Sequence, residues 1–71
     1  MSVTIRTRLA NGCKPPELYP SDAAGRAALA RNLGEHERRG HRIVWNFANT
    51  VVTVEDENGV FLQESEIVAP T

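Results

Sequence analysis

Val3, Ile5, Thr7 and Leu9 alternate with Thr4, Arg6 and Arg8. A period of two predicts a half-buried strand with Arg6 and Arg8 on its wet face. Asn11-Gly12 ends that strand with a turn signal, and Pro15-Pro16 stiffens the loop that follows. Leu18 and Tyr19 lie in this loop and are expected to lap over the edge of the core. The period then changes. Ser21 stands where an N-cap is wanted, Asp22 puts a carboxylate at the positive end of a helix dipole, and Gly40 offers a left-handed stop beyond Arg38 and Arg39. A helix is therefore predicted from Asp22 to about Arg39. Its buried stripe is centred on Leu29, Ala30 and Leu33, with Ala23 and Ala27 on one flank, His36 on the other, and Arg26 and Glu37 at the two ends.

Beyond Gly40 the pattern returns to two. Ile43, Trp45 and Phe47 share one face and Val44, Asn46 and Ala48 the other. A tight turn at Ala48-Asn49-Thr50 leads into Val51 to Glu55. With Asn49-Thr50 as a two-residue loop, Phe47 pairs with Val52 and Trp45 with Val54; moving the loop back by one residue shifts the partners by two and keeps the same side chains inward. Asp56-Glu57-Asn58-Gly59 is the clearest turn in the chain, joining this strand to one from Val60 through Glu64. A three-residue loop with Gly59 in a left-handed bulge sets Val54 opposite Leu62 and turns Phe61 outward beside Val44 and Val51. A four-residue loop sets Val54 opposite Phe61. Ile67 and Val68 add a short final strand before Pro70.

The expected architecture is one α+β domain spanning residues 1–71, of order β-α-β-β-β, with a mainly antiparallel sheet and a single helix packed on one face. Such a sheet leaves its second face to water or to a partner. Seventy-one residues bury a thin core, and small scaffolds often compensate with disulfides, a metal or a second subunit. The lone cysteine, Cys13, excludes an internal disulfide and fits a reducing cytoplasm. Residues 1–9 do not read as a signal peptide, and no apolar run approaches the roughly 18 residues of a membrane span. No membrane association is expected.

Charge changes the picture most. Residues 1–42 hold all eight basic groups, seven of them arginine, against Glu17, Asp22, Glu35 and Glu37; residues 43–71 hold Glu55, Asp56, Glu57, Glu64 and Glu66 and no base. The late acids form one candidate docking edge, suited to a protein or ribonucleoprotein partner with a basic groove. Arg6, Arg8, Arg38, Arg39 and Arg42 form an alternative basic surface for nucleic acid or an acidic partner. Attraction between the two halves inside the fold is the simplest alternative to both. Val44, Val51 and Phe61 form a third candidate, an apolar patch on the open sheet face that a homodimer would cover.

Other chemistries find little support. His36 and His41 are five apart across Gly40, not at the spacing that aims two ligands from one helix face, and no second cysteine joins Cys13. No metal or other cofactor is expected. Ser21, Ser65, Cys13 and the histidines show no nucleophile–base signature, and the chain has no phosphate-cradling glycine loop. Catalysis is not expected. The segment Val51 to Val60, with its Val-Glu-Asp-Glu-Asn-Gly-Val run, resembles hairpins of small phage-encoded anti-CRISPR inhibitors. That resemblance covers about a seventh of the chain and carries over no site residues. It implies a compact, non-catalytic α+β protein that acts by binding. The expected role is thus a small interaction or regulatory protein, with a nucleic-acid-binding module and a structural homo-oligomer subunit as alternatives.

Overall fold

A computed structural model describes residues 1–69. Six strands and one helix follow in order: β1 (Val3–Leu9), β2 (Gly12–Cys13), β3 (Glu17–Tyr19), α1 (Asp22–Arg38), β4 (Arg42–Trp45), β5 (Val51–Glu55) and β6 (Phe61–Val68). The fold is α+β, with α1 packed on one face of an open antiparallel sheet of order β2-β1-β6-β5-β4; β3 also lies beside β1. Val3, Ile5, Leu29, Leu33, Val52, Val54 and Ile67 form the core, and Tyr19, Ile43 and Leu62 pack against it.

The expected helix and four strands are present as α1, β1, β4, β5 and β6. Two further short strands line the free edge of β1, where the sequence suggested only a stiff loop. β2 pairs Cys13 with Arg8, and β3 pairs Glu17 with Ile5. Pro15 and Pro16 lie between them, and with no N–H to donate they interrupt the ladder. Tyr19 packs on the core while Leu18 points to solvent at 73% exposure.

The expected short final strand is instead the second half of β6. This eight-residue strand pairs with β1 on one side and β5 on the other. Its inward residues include Gln63 and Ser65 as well as Ile67. Two polar residues in the inward phase made the alternation hard to read from hydrophobicity alone.

Both hairpins refine the expected registers. Trp45 pairs with Val52 and Ile43 with Val54, so the first hairpin adopts the register shifted by two. Its turn is built by Asn46, whose Oδ1 accepts from the N–H groups of Thr50 and Val51 at 2.8 and 3.1 Å, and by Asn49 in the left-handed region at φ 58°. Phe47 falls within this turn and is fully exposed, which corrects its expected place beside Val52. In the second hairpin, Gly59 has the expected positive φ of 83°, and Asp56 N–H bonds the Val60 carbonyl at 2.9 Å. Glu55 pairs with Phe61, but a bulge then sets Val54 opposite Gln63 rather than Leu62. Leu62 and Gln63 consequently both serve the core side, and Phe61 faces outward.

The helix begins as expected, with Ser21 Oγ accepting from Ala24 N–H at 3.1 Å. Its buried face differs. Gly25, Leu29 and Leu33 are buried, with Ala28, Asn32 and His36 half-buried beside them, while Ala23, Ala27 and Ala30 are exposed. Gly25 sets this rotation: a Cβ there would lie 2.9 Å from Val3 Cγ2. Gly25→Ala is expected to destabilise the fold by about 1–3 kcal/mol, because overpacking outweighs the helix-propensity gain. Gly34 has no heavy atom within 4 Å of the same position. Gly34→Ala is therefore expected to stabilise by about 0.5–1 kcal/mol. Urea denaturation of the two variants checks the contrast in sign.

Candidate interaction surface

The two oppositely charged halves of the sequence meet on one surface. On the sheet face away from α1, Arg6 lies directly opposite Glu66 and Arg8 opposite Glu64, while Arg42 lies opposite Glu55. Arg8 Nη2 stands 3.4 Å from Glu64 Oε1, and its guanidinium lies over Phe61 at 5.3 Å from the ring centroid. Opposite charges facing across strands contribute roughly 0.2–1 kcal/mol each to a sheet. The charge asymmetry along the chain is thus folded into cross-strand neighbours.

The five late acids are consequently divided among different surroundings. Glu64 and Glu66 face arginines on β1, and Glu55 faces Arg42. Asp56 builds the second turn, its Oδ1 accepting from Asn58 and Val60 N–H at 2.8 and 2.9 Å. Glu57 is exposed in that turn, its carboxylate reaching toward Gly40. The arginine set is divided likewise. Arg6, Arg8 and Arg42 belong to the open sheet, whereas Arg38 and Arg39 close α1, with Arg38 3.8 Å from Glu35. Val44, Val51 and Phe61 all lie on the open face, but their cross-strand partners are Thr53, Glu66 and Glu55. The three form no uninterrupted apolar patch.

Between helix and sheet runs a polar seam that the sequence did not announce. Thr7 and Ser65 face each other on β1 and β6, with their hydroxyl oxygens 3.0 Å apart. Gln63 Nε2 donates to Asn32 Oδ1 at 2.8 Å and to Ser65 Oγ at 3.2 Å. Its Oε1 lies 3.3 Å from His36 Nε2, and His36 Nδ1 lies 2.9 Å from His41 Nδ1. An amide oxygen only accepts, so His36 Nε2 carries the proton; a neutral His36 then accepts at Nδ1 from His41 Nδ1–H. The two histidines, not spaced to share a helix face, meet as hydrogen-bonding partners. At the helix end His41 N–H bonds the His36 carbonyl and Gly40 N–H bonds that of Glu37, both at 3.0 Å. This cap, with Gly40 at φ 79°, folds residue 41 back over residue 36 and stacks the rings with centroids 5.2 Å apart.

The seam is occupied with itself. No buried side-chain polar atom among the described residues lacks a partner. A small cleft of about 120 Å³ opens above it, between Asn32 and Tyr19. There the Tyr19 hydroxyl donates to Glu17 Oε2 at 3.2 Å, and partial desolvation followed by the Glu17 charge raises the phenol above its usual value. Among the described residues no three histidine, cysteine or carboxylate groups are placed to hold a metal; Cys13 lies exposed on β2. No helix among them is long and apolar enough to cross a membrane.

A further feature is the outer edge of β4. Asn46 N–H bonds the Val51 carbonyl at 2.9 Å, so residues 42, 44 and 46 direct their backbone groups toward β5. The backbone groups of Ile43 and Trp45 therefore point away from the sheet. Beside this open edge, between α1 and β4, lies a groove of roughly 350 Å³ lined by Arg26, Ala30, Leu33, Gly34, Glu37, Ile43 and Trp45. Trp45 is 36% exposed and Phe47 stands free at the end of the strand. Apolar alternation in residues 43–47 predicts side chains covered by the helix, whereas Trp45 and Phe47 lie beyond its cover.

Replacing Gln63 leaves Asn32, Ser65 and His36 short of partners within the fold. Gln63→Leu is expected to cost about 1–3 kcal/mol, more than His41→Ala at the solvent end of the same chain of hydrogen bonds. Chemical denaturation orders the two. Compared with known family models, curated proteins and solved structures, the chain has no significant match.

Proposed function

We propose that the protein is a small non-catalytic binding protein that docks an extended segment of a protein partner along β4. The observation that carries this reading is the conjunction of an unpaired strand edge at Ile43 and Trp45 with an apolar groove beside it. Strand addition uses main-chain hydrogen bonds for affinity and alternate side-chain pockets for selectivity. Both elements are on the same side of the molecule. β4 is short and begins with Arg42, but its outward-facing stretch Ile43–Trp45 contains no proline, no charged side chain and no bulge. The other side of the sheet carries Pro15, Pro16 and two short strands.

A regulatory or inhibitory role, in which the protein occupies a surface of a larger protein or ribonucleoprotein, follows naturally from such docking. It agrees with what the hairpin resemblance implies. Binding through the acidic set draws less support, because Glu55, Glu64 and Glu66 face arginines of the same chain. The same pairing weighs against a nucleic-acid module built on Arg6, Arg8 and Arg42.

Host-cell extract passed over the immobilised protein provides the test. A partner held at β4 is expected to be retained by the triple variant Glu55→Lys, Asp56→Lys, Glu57→Lys. Trp45→Lys is expected to weaken its capture at least about 30-fold, the ratio that ~2 kcal/mol from an interface tryptophan represents. Loss on the triple variant with retention on Trp45→Lys contradicts the β4 reading and favours the acidic edge. Thermal melts of both variants confirm that each remains folded.

A further inference from the structure

The β4 edge is complementary to itself, and we infer that a second copy of this chain is its partner, pairing β4 with β4 about a two-fold axis at Val44. This inference rests on the strand-addition reading and names the occupant of that same edge. In β4 the backbone groups of Ile43 and Trp45 point outward, while those of Val44 point to Thr53. An antiparallel copy centred on Val44 sets Ile43 of one chain opposite Trp45 of the other, and the reverse. Both are hydrogen-bonded positions, so each exchanges its N–H and C=O with its opposite number. No outward-pointing group of Ile43 or Trp45 is left over.

The side chains agree with this register. Ile43 and Trp45 lie on the helix side of the sheet, facing the groove. A two-fold copy sets isoleucine beside tryptophan across the junction, a β-branched–aromatic pair of the kind that stabilises neighbouring strands. Val44, 42% exposed, meets its own counterpart on the opposite face at the close, non-hydrogen-bonded spacing. Charge follows the same symmetry. Arg26 and Glu37 stand toward opposite ends of the groove, separated by eleven residues of α1. A two-fold axis perpendicular to the sheet reverses the second helix, which brings each Arg26 toward the Glu37 end of its neighbour. A parallel foreign strand satisfies none of these reciprocal conditions.

The resulting dimer has one continuous sheet with both helices on the same side. It covers Trp45 and closes an edge that otherwise invites unlimited pairing. Because the junction is isologous, it ends at two chains rather than growing into a fibre. A foreign strand competes with the second copy for the same Ile43 and Trp45 groups.

Sedimentation equilibrium from micromolar to millimolar concentration tests the inference. The wild type is expected at twice 7.8 kDa in the upper part of that range, with the emission of Trp45 shifting to the blue as the dimer forms. Val44→Lys and Val44→Glu each place like charges against each other at the axis, on a side chain exposed in the single chain. Each variant alone is expected to be monomeric, and an equimolar mixture of the two is expected to recover the dimer. A wild type that stays monomeric throughout overturns the inference, as does a Val44→Lys protein that remains dimeric. A monomeric wild type whose partner capture is still lost on Trp45→Lys removes the second copy as occupant and leaves the strand-addition reading standing.

Discussion

The antiparallel pairing of β1 with β6 is the constraint from which the other features follow. It ties the first strand of the chain to the last and inserts β6 between β1 and β5. Within it, Thr7 and Ser65 share a buried hydrogen bond on the helix side, while Arg6–Glu66 and Arg8–Glu64 face each other on the other. A slip of one residue would bury the charged set and expose the core set, so this register is fixed from both faces. The thin core of a 71-residue chain is therefore reinforced by specificity in hydrogen bonding. Gln63 extends that bonding across to Asn32 and His36 on α1, which ties the helix to the strand at the centre of the sheet.

The same pairing leaves the two edges of the sheet unlike each other. On the β1 side, residues 12–19 fold back as β2 and β3, with Pro15-Pro16 between them. On the β4 side no further strand pairs among the described residues. Residues 47–50 are taken up by the turn that Asn46 organises, and the chain returns at once as β5. At Gly25 the missing side chain lets α1 approach Val3 of β1 closely. Its side toward β4 presents Ala30 and Gly34, too small to fill the space above Ile43 and Trp45. The groove thus follows from the helix position, and the open edge from the place of β4 at the end of the sheet.

Much of this fold was legible because period, caps and turn residues agreed. β1, α1 with its Ser21 cap and Gly40 stop, and the Gly59 turn follow directly from those signals. The helix face is not legible in the same way: alanines at 23, 27 and 30 mark one apolar side, whereas contact is decided by the absent side chain of Gly25. Bulges and two-residue slips leave the inward set nearly unchanged, so hydrophobic alternation could not choose between the registers at Trp45 or Val54. The polar seam was invisible for a different reason: Thr7, Asn32, Gln63 and Ser65 are unremarkable singly and acquire meaning only when β6 lies beside β1. The charge split was visible but its meaning was not, because a tally along the chain says nothing of which residues face each other. The β4 edge was legible as a strand, yet its openness depends on which strand comes last in the sheet.

Proton–proton nuclear Overhauser effects between α-hydrogens test the register on which this account stands. Facing α-hydrogens come close at non-hydrogen-bonded pairs of antiparallel strands. Strong effects are expected for Thr7–Ser65 and Ile5–Ile67, and for Ile43–Val54 and Trp45–Val52. Effects at Trp45–Val54 and Phe47–Val52 would instead carry Phe47 into the sheet, undo the turn that Asn46 organises, and contradict the register.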